Sequence, residues 1–446
     1  VFSAAYLDSL RVRSQTNRAP ETVVGADGAY QYYNSTNWYD HLYRSSAPSM
    51  EHNLSISRGT ENAQFMISGR TLGQDGMFRY NSDNFAQKNL RADGSIRAAN
   101  WLNVRSGFMY SNRTYHNPEN VGEGGAIWRN LQDEGHVLSA LYNPDGTLTQ
   151  SAAYTVGDFA YGKNGIDFDV DVYRTNAEAA TTFLDDRLKF TSDFTYQRTQ
   201  DDQQRRRVPV PYSRRPGVIE YVGAATNTLN QTQATTDYIA TNSYGEFNTT
   251  LGGRHALRLM GGVNYEERTW NQLSAQRNGL IFPDAKDLNL ALGTATVIGG
   301  GYEKWNIFGG FTRMNYSYAD RYLLEFTGRY DGSSKFPENQ RYAFFPSASA
   351  SWRISQEPFW KVPSGLVNDL RLSVSHGSMG NGNGGAYQFQ QTFNIGQSGV
   401  IVNGTRPQQT SAPAVLPDGL TWETATTTNF GLDADMIDNR LTVSAD

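Results

Sequence analysis

Residues 188–197 read Leu-Lys-Phe-Thr-Ser-Asp-Phe-Thr-Tyr-Gln, in which apolar and polar residues alternate. The large apolar residues of this stretch share one side of a period of two: Leu188, Phe190, Phe194 and Tyr196. The odd-numbered residues between them are all charged or polar. Because successive side chains of a β-strand point to opposite faces, this alternation predicts a strand with one apolar and one polar face.

The same alternation recurs along the chain, most clearly at residues 257–265, 322–330, 344–354 and 370–374. Many of the alternating stretches run for about 9 to 14 residues, whereas strands of soluble sheets usually have about 5 or 6. A tilted strand needs about 9 to 11 residues to cross a bilayer. The strand lengths therefore favour a membrane barrel over a soluble sandwich.

The connections between these strands alternate between short and long. Short turns fall at 59–61, 185–186, 252–253, 319–320 and 438–439, and long polar segments at about 115–172, 199–235, 268–304 and 379–420. Outer-membrane barrels have short periplasmic turns and long extracellular loops. We therefore predict an all-β fold, a large antiparallel transmembrane β-barrel in the bacterial outer membrane, with about 13 to 15 strands in this chain.

The chain ends at residues 441–446 inside an alternating strand, and an open sheet edge in lipid leaves backbone groups unpaired. We therefore expect the strands that close the barrel to lie outside this sequence. Val1–Ala4 has neither a starting Met nor the pattern of a signal peptide, which suggests a processed or partial chain.

Composition excludes several other classes of protein. Hydrophobic residues make up 38% and mean hydropathy is −0.58, and no stretch approaches the about 18 apolar residues of a spanning helix. A barrel remains compatible with these values, because only alternate residues meet lipid. The chain has no cysteine, which excludes disulfides and thiolate metal sites. A net charge of −5 gives no indication of nucleic-acid binding.

No pattern in the sequence predicts catalysis, a metal or another cofactor. The six histidines are scattered and form no HExxH motif. Asp167, Asp169 and Asp171 share one face of a strand, and carboxylates at that spacing could hold Ca²⁺. Because neither the glycine nor the distant glutamate of a calcium loop follows, we interpret them as part of a polar, lumen-facing surface.

Aromatic residues and one proline carry further expectations about the strands. An interfacial girdle is predicted from the aromatic residues near strand ends, which are Tyr196, Tyr265, Tyr322, Tyr330 and Trp352. Pro346 lies inside an alternating stretch, and because proline cannot donate to a ladder we expect a bulge or a strand start there.

The most specific motifs lie in residues 313–380. They are Arg-Met-Asn-Tyr-Ser-Tyr at 313–318, Asp-Arg-Tyr-Leu-Leu at 320–324, Arg-Tyr-Asp-Gly-Ser-Ser-Lys-Phe at 329–336, Phe-Pro-Ser-Ala-Ser-Ala-Ser-Trp-Arg-Ile-Ser at 345–355 and Leu-Arg-Leu-Ser-Val-Ser-His-Gly at 370–377. This block resembles the SusC/RagA family of TonB-linked outer-membrane transporters. Further matches at 37–40, 52–61 and 422–433 occur in the family's order, so the resemblance covers nearly the whole chain.

The resemblance implies a barrel of about 22 strands that is occluded by an N-terminal plug. It also implies two partners, a SusD-like surface lipoprotein that closes over the extracellular mouth and the inner-membrane TonB complex that pulls on the plug. The expected function is energised import of an oligosaccharide or a peptide. A plug and a TonB-interacting segment are not seen in residues 1–446. A passive porin and a surface binding or adhesion barrel remain the alternatives.

Candidate ligand contacts lie in the long loops. Flat aromatic faces stack on sugars and extended peptides, and the loop aromatics proposed for this role are Trp128, Tyr142, Tyr154 and Tyr161. The alternative is that these side chains pack the loops onto one another. A basic loop with Arg205–Arg207, Arg214 and Arg215 is either a surface for lipopolysaccharide, an acidic substrate or the lipoprotein, or simply a solvated loop.

Overall fold

One antiparallel sheet of fourteen strands dominates the computed structural model, which describes residues 4–16, 21–121, 135–223, 226–363, 365–416 and 419–446. The elements in chain order are α1 (Ala4–Thr16), β1 (Thr22–Val24), β2 (Tyr30–Tyr32), α2 (Trp38–Leu42), β3 (Ser49–Gly59), β4 (Ala63–Asp75), β5 (Asn84–Ala99), β6 (Leu102–Pro118), α3 (Gln150–Thr155), α4 (Gly157–Tyr161), β7 (Gly165–Phe183), β8 (Leu188–Arg207), β9 (Val210–Arg215), β10 (Val218–Val222), β11 (Thr228–Leu251), β12 (His255–Asn278), β13 (Ala295–Tyr318), β14 (Tyr322–Ser333), β15 (Tyr342–Arg353), β16 (Val367–Asn381), β17 (Ile395–Gln397), β18 (Gln408–Thr410), β19 (Glu423–Met436) and β20 (Leu441–Ala445).

The large sheet runs from β3 to β20 with each strand beside its neighbour in sequence, and the short hairpins β1–β2, β9–β10 and β17–β18 stand outside it. This up-and-down order is that of a barrel wall, and fourteen strands fall within the predicted number. No described helix is long and apolar enough to cross a membrane.

The pairing register gives the sheet one apolar and one polar face. Leu259 pairs with Met314, Met314 with Phe326, and Phe326 with Ala348, so apolar side chains of successive strands lie side by side. These side chains are nevertheless exposed, and Phe326 is 54% accessible. Large apolar residues that are ordered along every strand and exposed are typical of a surface that meets lipid. The opposite, polar face is therefore the lumen face.

The seven connections at the lower end of the sheet are mostly tight, as predicted. The turn between β7 and β8 puts three successive residues, Leu184, Asp185 and Asp186, in the left-handed region with φ of 55°, 53° and 66°. The β11–β12 turn uses Gly252 and Gly253 at φ of 56° and 68°. Glycine adopts this region freely and aspartate tolerates it, so these sequences select tight reversals there.

Strands at the upper end extend beyond the predicted loop boundaries. Both β11 and β12 have 24 residues, and the connections that remain are 119–164, 208–227, 279–294 and 382–422. In their upper halves these strands carry polar residues on both faces, because both faces meet water above the membrane. The alternation of apolar and polar residues therefore stops before the strand does.

Two other expectations were wrong. Pro346 pairs with Gly328 in regular register inside β15, with neither a bulge nor a strand start. It is tolerated because β15 has a partner on one side only at this height, since its pairing with β16 begins at Ser347. The carboxylates of Asp167, Asp169 and Asp171 do not line the lumen, because they share the outward face of β7 with Phe183.

The five predicted girdle aromatics all lie on the outward, apolar face. Tyr322 stacks on Trp352 at the lower end, with ring centroids 6.5 Å apart and an interplanar angle of 6°. Higher on the same face, Tyr330 stacks on Tyr342 at 5.4 Å, and the Tyr196 hydroxyl donates to the Asp237 carboxylate at 2.7 Å. An amphipathic ring with a hydrogen-bonded hydroxyl suits the boundary between lipid and water.

Candidate functional site

The lumen face of the wall carries arginines beside carboxylates and amides. Arg70 makes two hydrogen bonds to Glu51, at 2.9 and 3.0 Å, and Arg329 contacts both Asp331 and the Asn264 side-chain oxygen. Arg371 pairs with Asp433 at 2.7 Å. These pairs link neighbouring strands and leave a hydrophilic lining whose charges are largely compensated.

Some lumen arginines have no carboxylate partner among the described residues. Arg113 of β6 and Arg174 of β7 are exposed on the polar face, and within the described ranges neither makes an ion pair. Arg113 lies near Gln87, Asn89 and Ser111 in a concave stretch of the wall. Guanidinium and amide groups together offer donors for hydroxyl or carboxylate oxygens of a polar ligand.

Above the wall, the stretch before β3 and the connections β4–β5, β6–β7 and β8–β11 fold into an extracellular cap with its own hydrophobic core. The residues of this core are almost completely buried, and they are Trp38, Leu42, Tyr43, Phe78, Val121, Leu148, Ala152, Ala153, Val156, Phe159, Val210, Tyr212 and Val222. Short helices α3 and α4 contribute its centre. Thr149 caps α3 by accepting the Ala152 N–H, and Gly162 at φ 69° ends α4.

A buried polar group ties three parts of the cap together. Asp158 is 1% exposed, and its carboxylate accepts the Val121 N–H at 2.9 Å and the Asn164 side-chain amide. Asn164 in turn accepts the Val208 N–H and donates to the Val208 carbonyl, at 2.6 and 2.9 Å. Burial raises the pKa of Asp158 to about 7, although these hydrogen bonds favour the charged form.

Sequence patterns alone did not identify Asp158 and Asn164 as central residues. Asp158 stands between Val156 and Phe159, and a charged residue in apolar surroundings is the only local signal. Its partner Val121 is distant in the sequence, and its partner Asn164 is separated from it by a turn. No regular sequence spacing connects either of them to Asp158.

The predicted basic loop is mostly engaged in the cap's own contacts. Arg205 forms a bidentate pair with Glu119, which also lies 3.9 Å from Arg207. Arg206 donates to the Lys163 carbonyl, and Arg214 pairs with Glu220 at 2.7 Å. These contacts favour the interpretation of a structural, solvated loop over that of a free anion-binding surface.

The predicted loop aromatics have different environments. Tyr154 packs against the cap core and contacts Tyr212 at 6.3 Å, and Tyr161 packs against the same core. Tyr142 is 48% exposed, and Trp128 lies outside the described residues. The structure therefore does not bring these four together, and their role in ligand binding stays a prediction. Within the described ranges, no group of three or more His, Asp or Glu side chains could hold a metal ion.

A sheet with a lipid-facing band, a hydrophilic lumen face and a folded extracellular cap defines an integral outer-membrane β-barrel wall. A family model described as "TonB dependent receptor-like, beta-barrel" matches residues 129–446. The chain therefore belongs to the TonB-dependent receptor family, whose members are receptors and transporters rather than enzymes, and it resides in the bacterial outer membrane.

Individual relatives agree with the predicted SusC/RagA resemblance. TonB-dependent receptor P3 of Formosa agariphila is 28% identical over 427 residues, 92% of this chain and 40% of that protein. TonB-dependent receptor SusC of Bacteroides thetaiotaomicron is 35% identical over 138 residues, 30% of this chain and 14% of that protein. The solved RagAB peptide transporter matches in fold with a TM-score of 0.76 at 19% identity, covering 99% of this chain and 48% of that chain. The chain thus spans about 40% of its first curated relatives' length.

Proposed function

We propose that this chain forms the wall and extracellular cap of a transporter that imports a polar nutrient, an oligosaccharide or a peptide, with energy from TonB. The observation that carries the proposal is the hydrophilic lumen face, rich in arginine, amide and hydroxyl groups. Such a face suits passage of a molecule that needs hydrogen bonds along its path. A SusD-like lipoprotein is proposed to close over the cap, as the SusC/RagA resemblance implies.

Deletion of TonB in a strain that carries the full-length gene tests the energised step. Labelled-nutrient uptake should fall to the background of a gene-deletion strain if the protein is a TonB-coupled importer. Uptake that persists without TonB would identify a passive porin. Surface binding without uptake in either strain would identify an adhesion barrel, and both of these outcomes contradict the proposal.

The unpaired lumen arginines provide a test at the level of side chains. The double variant Arg113→Ala and Arg174→Ala should reduce uptake several-fold while insertion into the outer membrane stays normal, because the donors lie on the lumen face and in no described ion pair. Arg440→Ala, in the β19–β20 turn, is the matched control and should leave uptake unchanged. Equal uptake in the double variant and in Arg440→Ala would show that cargo does not contact this part of the wall.

Co-purification tests the partner. A tagged full-length protein extracted in mild detergent should carry a stoichiometric surface lipoprotein, and its absence would contradict this part of the proposal. The loop aromatic Tyr142 is proposed to contact the cargo or the lipoprotein, since it alone of the three described candidates is exposed outside the cap core. Tyr142→Ala should therefore weaken binding of one of them.

A further inference from the structure

The upper half of β13 has a neighbouring strand on one side only. β13 pairs with β12 from Ala295 to Tyr318, but its pairing with β14 starts only at Ile307, opposite Ser333. About twelve residues of β13 therefore rise above the end of β14. In the described part of the chain no strand pairs with this stretch on the β14 side.

The backbone groups of this stretch continue the pattern of the ladder below it. Residues of even number point toward β14, since the Asn306 N–H donates to the Ser334 hydroxyl and the Lys304 N–H donates to the Tyr387 hydroxyl. By the two-residue period of an antiparallel ladder, the N–H and carbonyl groups of Tyr302, Gly300 and Ile298 point to the same side. They form an open edge, defined here as residues 297–302.

The side chains of the open edge are uncharged, and several are apolar and exposed. Ile298 is 76%, Tyr302 58% and Val297 46% exposed, and a Cβ at Gly299 would meet no atom within 4 Å. The charged residues just below are already compensated by β12, because Glu303 pairs with Arg268 and Lys304 with Glu267. The edge thus complements a neutral strand.

Natural proteins usually protect such an edge with charges, proline or a covering segment, because an open ladder with apolar side chains readily pairs with another strand. Residues 297–302, Val-Ile-Gly-Gly-Gly-Tyr, contain neither a charge nor a proline. We propose that the open edge binds an extended, neutral segment of a partner protein by strand addition, in which backbone hydrogen bonds supply the affinity.

The position of the edge favours a partner segment over a second copy of this chain. The edge lies in the plane of the wall and faces the space above β14, so an added strand would continue the wall upward from Ser333. The edge strand of a second barrel is embedded in its own wall and could not enter that space. A separate segment that approaches from the extracellular side could. This inference does not depend on transport activity.

Hydrogen–deuterium exchange on the full-length protein in its native complex tests the proposal. The peptide covering residues 297–302 should exchange at least about tenfold more slowly in the complex than after the partners are removed. Ile298→Lys places a charge on the edge and should abolish the protection. Leu273→Lys is the matched control. Leu273 is an exposed aliphatic residue of β12, a strand with a partner on each side, and it lies opposite Gly300 of β13.

A photo-crosslinking residue at Ile298 in intact cells provides an independent measurement if Ile298→Lys does not insert. The expected product is one adduct of fixed mass with a protein other than this chain, and a crosslinker at Leu273 should give much less of it. Equal exchange with and without partners, adducts only between copies of this chain, or adducts only with small peptide cargo would each overturn the proposal.

Discussion

Asp158 is the residue whose chemistry most affects the cap. Its carboxylate is buried against Val121 and Asn164, with Arg207 and Glu119 as the charged groups that face it. Because its pKa is raised to about 7 in the folded cap from 3.8, the folded state holds the proton more tightly than the unfolded state. This group therefore makes the cap less stable as pH rises from about 4 to 7, by about 1.4 kcal/mol per pH unit.

Substitution isolates that pH dependence. In Asp158→Asn the side chain stays neutral, so limited proteolysis of the cap should depend less on pH between about 5 and 8 than in the wild type. The wild-type cap should be cleaved faster at the upper end of this range. If both proteins show the same pH profile, Asp158 is not the titrating group.

Gly380 illustrates how closely backbone and rings approach in the wall. A Cβ at this position would lie 2.0 Å from the Phe345 ring, which is 7% exposed and packs edge-on against Trp422. Because that ring cannot swing away freely, Gly380→Ala should destabilise the barrel by about 1–3 kcal/mol in urea unfolding from vesicles. Gly310→Ala, where a Cβ meets no atom within 4 Å, should be close to neutral. Equal effects would contradict this account.

At the scale of one strand, adjacent side chains of β14 point to opposite sides of the wall, one toward lipid and the next toward the lumen. Phe326→Arg would place a charge in the lipid-facing band and should cost about 2–4 kcal/mol if it lies near the bilayer midplane. Thr327→Arg, one residue along on the lumen face, should insert normally because water reaches it. Heat-modifiable migration of the two variants from outer membranes measures the difference, and the reverse order would invert the assignment of the faces.

The sequence predicted the strands well in the membrane, where lipid requires that every second side chain be apolar. From residues 188–197 to 370–374 the period of two follows from one face meeting hydrocarbon, and the observed register keeps those residues together. The prediction failed for Asp167, Asp169 and Asp171 because the polarity of the two faces is reversed above the membrane, where Phe168, Val170 and Val172 face the lumen and the aspartates face outward. Counting in steps of two from Phe183 would have placed Asp171 outside.

The cap could not be predicted because its contacts are non-local and have no period. The Trp38 indole N–H donates to the His136 carbonyl, 98 residues away, and Asn164 reaches Val208. Residues that meet in this way leave no pattern in their neighbours. The predicted aromatics Tyr154 and Tyr161 were visible as unusual loop residues, but only the fold indicates that they pack inward.

At the scale of the whole molecule, the cap is held by a buried core of its own, whereas the wall is held by its ladder of strands and turns its large apolar side chains toward lipid. Phe159 is 1% exposed at the centre of the cap and contacts Phe78 at 4.6 Å. Phe159→Ala should cost about 3–5 kcal/mol of local stability, so the cap should become sensitive to external protease while the barrel keeps its resistance to SDS. Tyr142→Ala, on the cap surface, should change neither property. A simultaneous loss of both would show that the two parts unfold as one unit.

The height of the wall has a consequence for how cargo reaches it. A strand of 24 residues such as β12 is about 80 Å long, and at a tilt of about 40° it rises about 60 Å, against an apolar band of about 25 Å. More than half of that strand thus stands in the layer of lipopolysaccharide sugars. The entrance of the barrel therefore lies above much of the sugar layer, so a bulky nutrient need not diffuse through the sugar chains to reach it. Bacteriophages and antibodies likewise meet the rim of the barrel before they meet lipid.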